Sequence, residues 1–299
     1  MNIYKDFKQG DSVDSQSLVT SIGAFDGVHL GHKALFEEAF KVSAGEFQIV
    51  TFNQIPKVFF NSSLDPLLDQ EERTKMFEQL NPKNIVFLDF RSVNTMDASD
   101  FCDFLKNNLQ TEKLVIGKDF KFGNQRVGDV NTLIGYFGVD NVILLDDFLI
   151  DAEKVSTTKI RLSYAQGDIK QAEKLLGRKI SYKGIVSKGK QLGTSIGVPT
   201  ANIAIKENVQ MPRFGVYAVN VYLDNKTYLG CLNIGNNPTI NDDITVKTEI
   251  HILDFNDNIY DQELSFELID FIRDEHKFES LDALKAQIYE DIEKIKNNF

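Results

Sequence analysis

Nowhere in the 299-residue sequence does an apolar run approach the length that a membrane-spanning helix needs, and Met1 to Ser12 is polar with no apolar stretch behind a basic start. No targeting signal or membrane anchor is expected, and the closing Lys296-Asn297-Asn298-Phe299 is no lipidation motif. Cysteine is scarce. Cys102 and Cys231 lie far apart without disulfide or zinc spacing, so both are expected as reduced core residues of a cytoplasmic protein. Positive charge is also in short supply, with 33 Lys and Arg against 44 Asp and Glu and a formal net charge of −11. Such a chain lacks the excess of cations that displaces counterions from nucleic-acid phosphates, so a small-molecule substrate is the expectation. There is no internal repeat and no low-complexity segment, and self-association is left open.

What is present is enough chain for two domains, each with its own hydrophobic core. From Leu18 to about Leu145, strand candidates Leu18–Ile22, Phe47–Phe52, Ile85–Leu88, Leu114–Ile116 and Val142–Leu145 alternate with helical patterns at Lys33–Val42, Glu71–Leu80, Ala98–Leu109 and Asp129–Phe137. That rhythm predicts an α/β domain with a parallel sheet, whose ligands bind beyond the carboxyl ends of the strands. Beyond Ser181 the period becomes two, and strands near Val216–Leu223, Tyr228–Ile234, Val246–Leu253 and Leu264–Phe271 predict a mainly β domain, a small antiparallel barrel. A last helix, Leu281 to Ile295 with Ser280 as N-cap, is expected to bury Leu281, Leu284, Ile288, Ile292 and Ile295. Gly167-Asp168 and Gly177 punctuate two short helical segments at the join. The domain expectation is therefore residues 1–160, a helical linker at 161–180, and residues 181–299.

Two segments carry chemistry. Gly23-Ala24-Phe25-Asp26-Gly27-Val28-His29-Leu30-Gly31-His32 ends a strand, turns on glycines and opens a helix. Backbone N–H groups and the positive end of the helix dipole at such a turn suit phosphate, and glycines let a nucleotide approach the backbone. His29 and His32, three apart, share the first-turn face, where both imidazoles can donate to one phosphate chain. One histidine alone reads more simply as a surface or satisfied core residue, but two of the chain's four in one glycine turn favour function. Two donors without a carboxylate base suit attack by an already ionised phosphate monoester on the α-phosphorus of a nucleotide, where only the developing charge needs support. No Gly-Lys-Ser/Thr follows, so this is not a P-loop.

The second segment sets Gly189, Gly193 and Gly197 ahead of Pro199, a loop able to wrap a nucleotide or simply to close a hairpin. In extended chain Thr200 and Asn202 point the same way, offering a hydroxyl and an amide oxygen to a hard cation that keeps its waters and the ATP phosphates. Glu249 and His251 alternate with Ile250 and Ile252, the pattern of a solvated strand face. On residue type alone His251 is structural, and Arg273 is a surface charge near a helix start.

The segment 23–32 resembles the His-x-Gly-His nucleotidyltransferase signature in the form found in bacterial FAD synthetases. Gly117-Lys118-Asp119-Phe120-Lys121-Phe122-Gly123, with Arg126 and Gly128-Asp129, is similar to the family's fourth-strand motif, and Val155 to Arg161 to its Ile-Ser-Ser-Thr-x-Ile-Arg motif. There Ser156 is placed to cap a helix whose amides face phosphate, and Thr157 and Arg161 share one helix face. Gly197-Val198-Pro199-Thr200-Ala201-Asn202 resembles the Gly-x-Pro-Thr-Ala-Asn signature of riboflavin kinases, and Phe214–Ala218, Asn233–Thr239, Glu249–Phe255 and Ile272–Phe278 follow in family order. From Ser21 to about Ile292 the chain resembles the bifunctional riboflavin kinase/FMN adenylyltransferase family.

The resemblance implies a Rossmann-like N-terminal nucleotidyltransferase domain that adenylates FMN to FAD with release of pyrophosphate, and a C-terminal barrel with a terminal helix that phosphorylates riboflavin to FMN. It implies that His29, His32 and Arg161 stabilise the α- and β-phosphates, while Gly23, Phe25, Gly31, Asp119, Ser156 and Thr157 bind that nucleotide. In the second domain it implies nucleotide contacts from Gly189, Gly193 and Gly197, Mg²⁺ held by Thr200 and Asn202, and Glu249 as the base that takes the ribityl hydroxyl proton. Asn53 and Arg273 fall on the flavin side. One departure stands out: the family carries Thr-Phe-x-Pro-His-Pro after the second strand, whereas this chain has Thr51-Phe52-Asn53-Gln54-Ile55-Pro56. Three other readings compete: a riboflavin kinase with weak or lost adenylyltransferase activity, a non-catalytic flavin-binding regulator, and an N-terminal domain with a different phosphorylated acceptor. Retention of His29, His32, Thr200, Asn202 and Glu249 speaks for turnover.

Overall fold

Short apolar strands separated by amphipathic helices can pair in parallel only through crossovers, and this is what the first half of the chain does. The structure, a computed structural model, describes residues 1–15, 18–187, 197–206, 208–238 and 244–299. Its contacts divide it into two units, Met1–Thr157 and Thr158–Phe299.

In the first unit β1 (Asn2–Phe7), β2 (Leu18–Ile22), β3 (Phe47–Phe52), β4 (Asn84–Leu88), β5 (Thr111–Gly117) and β6 (Val142–Leu145) form one parallel sheet, ordered β1-β4-β3-β2-β5-β6. The connecting helices are α1 (Leu30–Val42), α2 (Pro56–Phe59), α3 (Gln70–Glu78), α4 (Phe90–Val93), α5 (Ala98–Asn107) and α6 (Val130–Phe137). Neighbouring residues of one strand serve opposite cores: Val50, Val86 and Leu114 pack with Phe101 and Leu105, while Ile49, Ile85 and Val115 pack with Phe36 and Phe77. Strand β1 was not expected, because five of its six residues are not fully buried and it pairs on one side only, with β4. The strand order reverses between β2 and β5, which places the turns after these two strands on either side of a switch-point crevice. A two-stranded hairpin, β7 (Leu149–Ile150) and β8 (Glu153–Lys154), follows β6.

The second unit opens with α7 (Thr157–Gln166), which starts at the boundary, and α8 (Ile169–Leu176), which Gly177 ends at φ +66°. Strands β9 (Ser181–Ser187), β10 (Ala201–Ile205), β11 (Gly215–Leu223), β12 (Lys226–Pro238), β13 (Ile244–Ile252) and β14 (Glu263–Asp274) close an antiparallel barrel in the order β10-β13-β12-β11-β14-β9. Alternate residues such as Tyr217, Val219, Leu232, Ile250 and Phe266 fill it. The final helix, α9 (Leu281–Asn298), is capped by Ser280, whose hydroxyl accepts from the Ala283 amide at 3.2 Å. Only the C-terminal part of its expected apolar stripe is buried, at Ile292 and Ile295. Leu281 is 57% exposed, and with Leu284 and Ile288 it lines a cavity instead. Cys102 is buried in α5, whereas Cys231 on β12 is half-buried and lines that same cavity, which corrects its expected place in the core. Among the described residues no helix is long and apolar enough to cross a membrane.

Candidate active sites

In the first unit β2 ends at Ile22 and α1 starts at Leu30, so the histidine-containing turn lies at the carboxyl end of the sheet. Its geometry is forced. Phe25, Gly27 and Val28 take φ values of +47°, +79° and +42°, and a Cβ on Gly27 would stand 2.7 Å from the Leu67 side chain. The left-handed conformation costs Phe25 about 1–2 kcal/mol, which ring burial against His32, Phe36 and Phe77, worth about 1.5–3 kcal/mol, offsets. Phe25 is thus 1% exposed, and what it can offer a nucleotide is backbone.

His29 is the N-cap of α1, and its Nδ1 accepts from the His32 amide at 3.3 Å, which fixes the donor proton of the neutral ring on Nε2. The His29 and His32 rings stack with centroids 3.5 Å apart and 18° between planes. A Cβ on Gly31 would press on the His29 ring at 3.3 Å, so glycine there keeps the stack unhindered. Gly23 leaves room for the Phe25 ring in the same way.

The turn is tied to three other segments. The Thr51 hydroxyl donates to Ala24 O at 3.1 Å, Asp26 Oδ1 accepts from the Leu67 amide at 2.8 Å, and the Thr157 hydroxyl donates to Asp26 O at 3.3 Å. Ser156 immediately precedes α7, and the Thr157 bond ties the last residue of the first unit to the glycine turn. Arg161, one turn on, is buried in the second unit with its Nη1 donating to Gln210 Oε1.

The loop after β3 is organised by Arg73 of α3. It donates from Nη1 to Thr51 Oγ1 at 3.2 Å and from Nη2 to Phe52 O and Asn53 O at 3.0 and 3.4 Å, with its guanidinium over the Phe87 ring. Burial lowers the Arg73 pKa to about 10, with Asp26 and Asp69 acting in the opposite sense. Asn53 is occupied by the protein: Nδ2 donates to Asp6 at 2.6 Å, and Oδ1 accepts from the amides of Gln54 and Phe90.

Beyond β5 and β6 lies a cavity of about 680 Å³ lined by Lys118, Asp119, Asp146, Asp147, Leu149 and Lys154. Lys154 Nζ reaches Asp147 at 2.7 Å and Asp119 at 2.9 Å, and these bonds raise its pKa. Asp119 therefore faces the crevice paired with a lysine.

In the second unit the ladder aligns Asn202 of β10, Glu249 of β13 and Asn233 of β12 in one row across three strands. Paired residues point to one face, so the three polar side chains project together. On that outer face a cavity of about 310 Å³ lies between the barrel and α9. The barrel side supplies Thr200, Asn233, Lys247, Glu249 and His251; the other side supplies Phe278 and the apolar residues Leu281, Leu284 and Ile288. The helix stripe divides because its first half faces this cavity and its second half faces the barrel. Glu249 Oε2 pairs with Lys247 Nζ at 2.8 Å, and His251 Nδ1 bonds Pro199 O at 2.7 Å. Burial pushes the Cys231 thiol up to about 12, so it stays protonated at neutral pH. Gly197 holds φ +86° close to the Tyr289 hydroxyl, whereas Gly189 and Gly193 lie outside the described residues.

Arg273 does not project freely into this cavity. Its Nε and Nη2 donate to Asp291 of α9 at 2.8–3.0 Å, and Nη1 donates to Asp274 O at 2.9 Å and lies 3.2 Å from His276 Nδ1. Asp291 is 3% exposed, a buried carboxylate satisfied by this pair and by Gln287.

The sequence matches the FAD synthetase family over residues 11–159 and the riboflavin kinase family over residues 176–299. A bifunctional riboflavin kinase/FMN adenylyltransferase of Haemophilus influenzae is 36% identical over 95% of this chain and 95% of its own, and one of Listeria monocytogenes is 32% identical over 91% and 90%. This chain belongs to the bifunctional riboflavin kinase/FMN adenylyltransferase family. A crystal structure described as a macrolide-efflux protein from Streptococcus pneumoniae matches it with a TM-score of 0.85 at 30% identity, covering 100% of this chain and 99% of that one. This family member thus carries its two motif sets on an α/β sheet and an antiparallel barrel.

Several residues at these sites escaped sequence reading. Arg73 and Asp291 sit in amphipathic helices where a charge ordinarily marks the solvent face, and only the fold reveals them as buried. Lys154 and Lys247 belong to no motif. The period-two pattern that puts Lys247 on the face of Glu249 was the available signal for the latter.

Proposed function

We propose that the second unit transfers the γ-phosphoryl group of ATP to riboflavin, giving FMN and ADP, and that the first unit transfers the adenylyl group of a second ATP to FMN, giving FAD and pyrophosphate. The observation that carries this reading is the pairing of two unlike sites in one chain: stacked histidines on a helix N-terminus in one unit, and a carboxylate beside hydroxyl and amide donors in the other. Their difference matches the two nucleophiles. A ribityl alcohol must lose a proton as its oxygen bonds to the γ-phosphorus and the bond to ADP breaks, and Glu249 is assigned as the acceptor of that proton. The FMN phosphate is already ionised when it attacks the α-phosphorus and displaces pyrophosphate, so His29 and His32, together with Arg161, are assigned to charge stabilisation.

On this reading residues 1–160 form the adenylyltransferase, 161–180 the linker and 181–299 the kinase. Gly23, Phe25 and Gly31 through their backbone, with Asp119, Ser156 and Thr157, are assigned to the first nucleotide site; Gly197 is assigned to the second, and so by motif alone are Gly189 and Gly193. The hydroxyl of Thr200 and the amide oxygen of Asn202 are hard donors that fit Mg²⁺, which supplies neutralisation of phosphate charge when bound. Arg273 and Asn53 serve the flavin indirectly, by holding the segments they bond. A chain with these ligands and no apolar helix of membrane length among the described residues is assigned to the cytoplasm.

Chromatography of the flavins tests the assignment. His29→Ala is expected to make FMN from riboflavin but to lose FAD formation by about a hundredfold or more, and Glu249→Ala to lose FMN formation by about a hundredfold or more while converting supplied FMN to FAD. Parent protein that stops at FMN would favour the kinase-only reading raised by Asn53-Gln54-Ile55.

A further inference from the structure

The cavity beside Glu249 is short of positive charge. Its lining carries the carboxylates of Glu249, Glu275 and Asp291, and among the described residues its permanent cations are Lys247 and Arg273. Arg273 is committed to Asp291 by three bonds, whereas Lys247, the other lining cation, pairs with the Glu249 carboxylate at 2.8 Å. The ladder explains its position. Lys247 stands opposite Gly235, as Glu249 stands opposite Asn233, and the space above Gly235 is taken by the Glu275 carboxylate, which accepts from Asn233 Nδ2 at 3.1 Å and would collide with a Cβ there. Lys247 thus lies in a row of acidic groups at the point where an incoming phosphate would add more negative charge.

We propose that Lys247 is a catalytic residue of the phosphoryl transfer: it counter-charges Glu249 in the resting site and donates to the transferring γ-phosphoryl oxygens once ATP and riboflavin are bound. The proposal rests on the reading of Glu249 as the base. The base must touch the attacking hydroxyl, and that hydroxyl must touch the γ-phosphorus, so a flexible ammonium bonded to Glu249 is within one side-chain rotation of the phosphoryl oxygens. As the hydroxyl proton passes to Glu249 and the oxygen bonds to phosphorus, charge leaves the carboxylate and gathers on the phosphoryl group and departing ADP. Moving the ammonium with it keeps the site's charges paired at each stage.

Steady-state kinetics of FMN formation by the full chain tests this with Lys247→Gln, Lys247→Arg, Glu249→Gln and the Lys247→Gln/Glu249→Gln double variant. Lys247→Gln is expected to lower kcat by about tenfold or more with the KM for riboflavin within about twofold, and Lys247→Arg to recover part of the loss. Conversion of supplied FMN to FAD is expected to be unchanged, which reports an intact fold. The double variant is expected to fall below Glu249→Gln alone, because a group that only orients Glu249 adds nothing once that carboxylate is gone. A Lys247→Gln kcat within about twofold of the parent, or a raised riboflavin KM at unchanged kcat, would overturn the proposal. A double variant equal to Glu249→Gln would also overturn it. Full activity in Glu249→Gln beside a loss in Lys247→Gln would instead refute the base assignment and leave the lysine contact standing.

Discussion

Arg73 decides how the first site is held. A guanidinium at 2% exposure, donating to Thr51, Phe52 and Asn53 while Thr51 donates onward to Ala24, couples α3 to both the glycine turn and the loop after β3. Replacing it with an apolar chain of similar length leaves those buried acceptors without their donor and Asp26 without its nearby positive charge. Arg73→Met is therefore expected to lower stability by about 2–4 kcal/mol, read from the urea midpoint, and to reduce FAD formation more than FMN formation. Equal effects on both reactions would show that Arg73 supports the whole chain and not the first site in particular. Nothing in the local sequence Glu71-Glu72-Arg73-Thr74 marks this arginine as buried, since neighbouring charges in a helix usually mean solvent. The histidines were legible because their chemistry is local: cap, turn and stack all form within one segment.

Among the elements, the apolar strands of the parallel sheet were the easiest to read. Strands β2 and β3 have the bounds that their apolar runs give, because strands covered on both faces tolerate few polar residues, and edge strand β6 has them because its Val142-Ile143-Leu144-Leu145 run is wholly apolar. Edge strand β1 escaped because one open side lets it keep Asn2, Lys5 and Asp6. Helix α9 was read correctly in type and cap, but only Ile292 and Ile295 of its expected stripe are buried, because periodicity does not distinguish a stripe that meets the core from one that roofs a cavity. The clamp between β14 and α9 makes the difference measurable. Asp291→Ala strands the Arg273 guanidinium and is expected to cost about 3 kcal/mol, with a raised KM for riboflavin as the Asp274–Phe278 segment loses its anchor. Arg273→Met combined with Asp291→Leu is expected to recover much of the urea midpoint, since an apolar pair avoids the desolvation of two charges, but not the KM. Recovery of both would assign the pair to stability alone.

Across the whole molecule, two folds with opposite connection rules share one chain. The first sets its candidate site where a parallel sheet reverses its strand order, at the turn that follows β2. The second builds its site on the outside of a closed barrel, where a row of polar residues crosses three strands beneath a helix. The motifs point to a chemistry for each candidate site, whereas long-range packing, which alone decides which face of the barrel α9 covers, was not available from any local pattern.

The most direct test of two separate sites is to mix the two single variants. His29→Ala and Glu249→Ala proteins are incubated with riboflavin, ATP and Mg²⁺, apart and together, and the flavins are followed over time. FMN alone is expected from the first, neither product from the second, and FAD only from the mixture, as FMN made by one chain reaches the adenylyltransferase of the other. FAD from either variant by itself, or loss of both reactions through the His29 substitution, would contradict it.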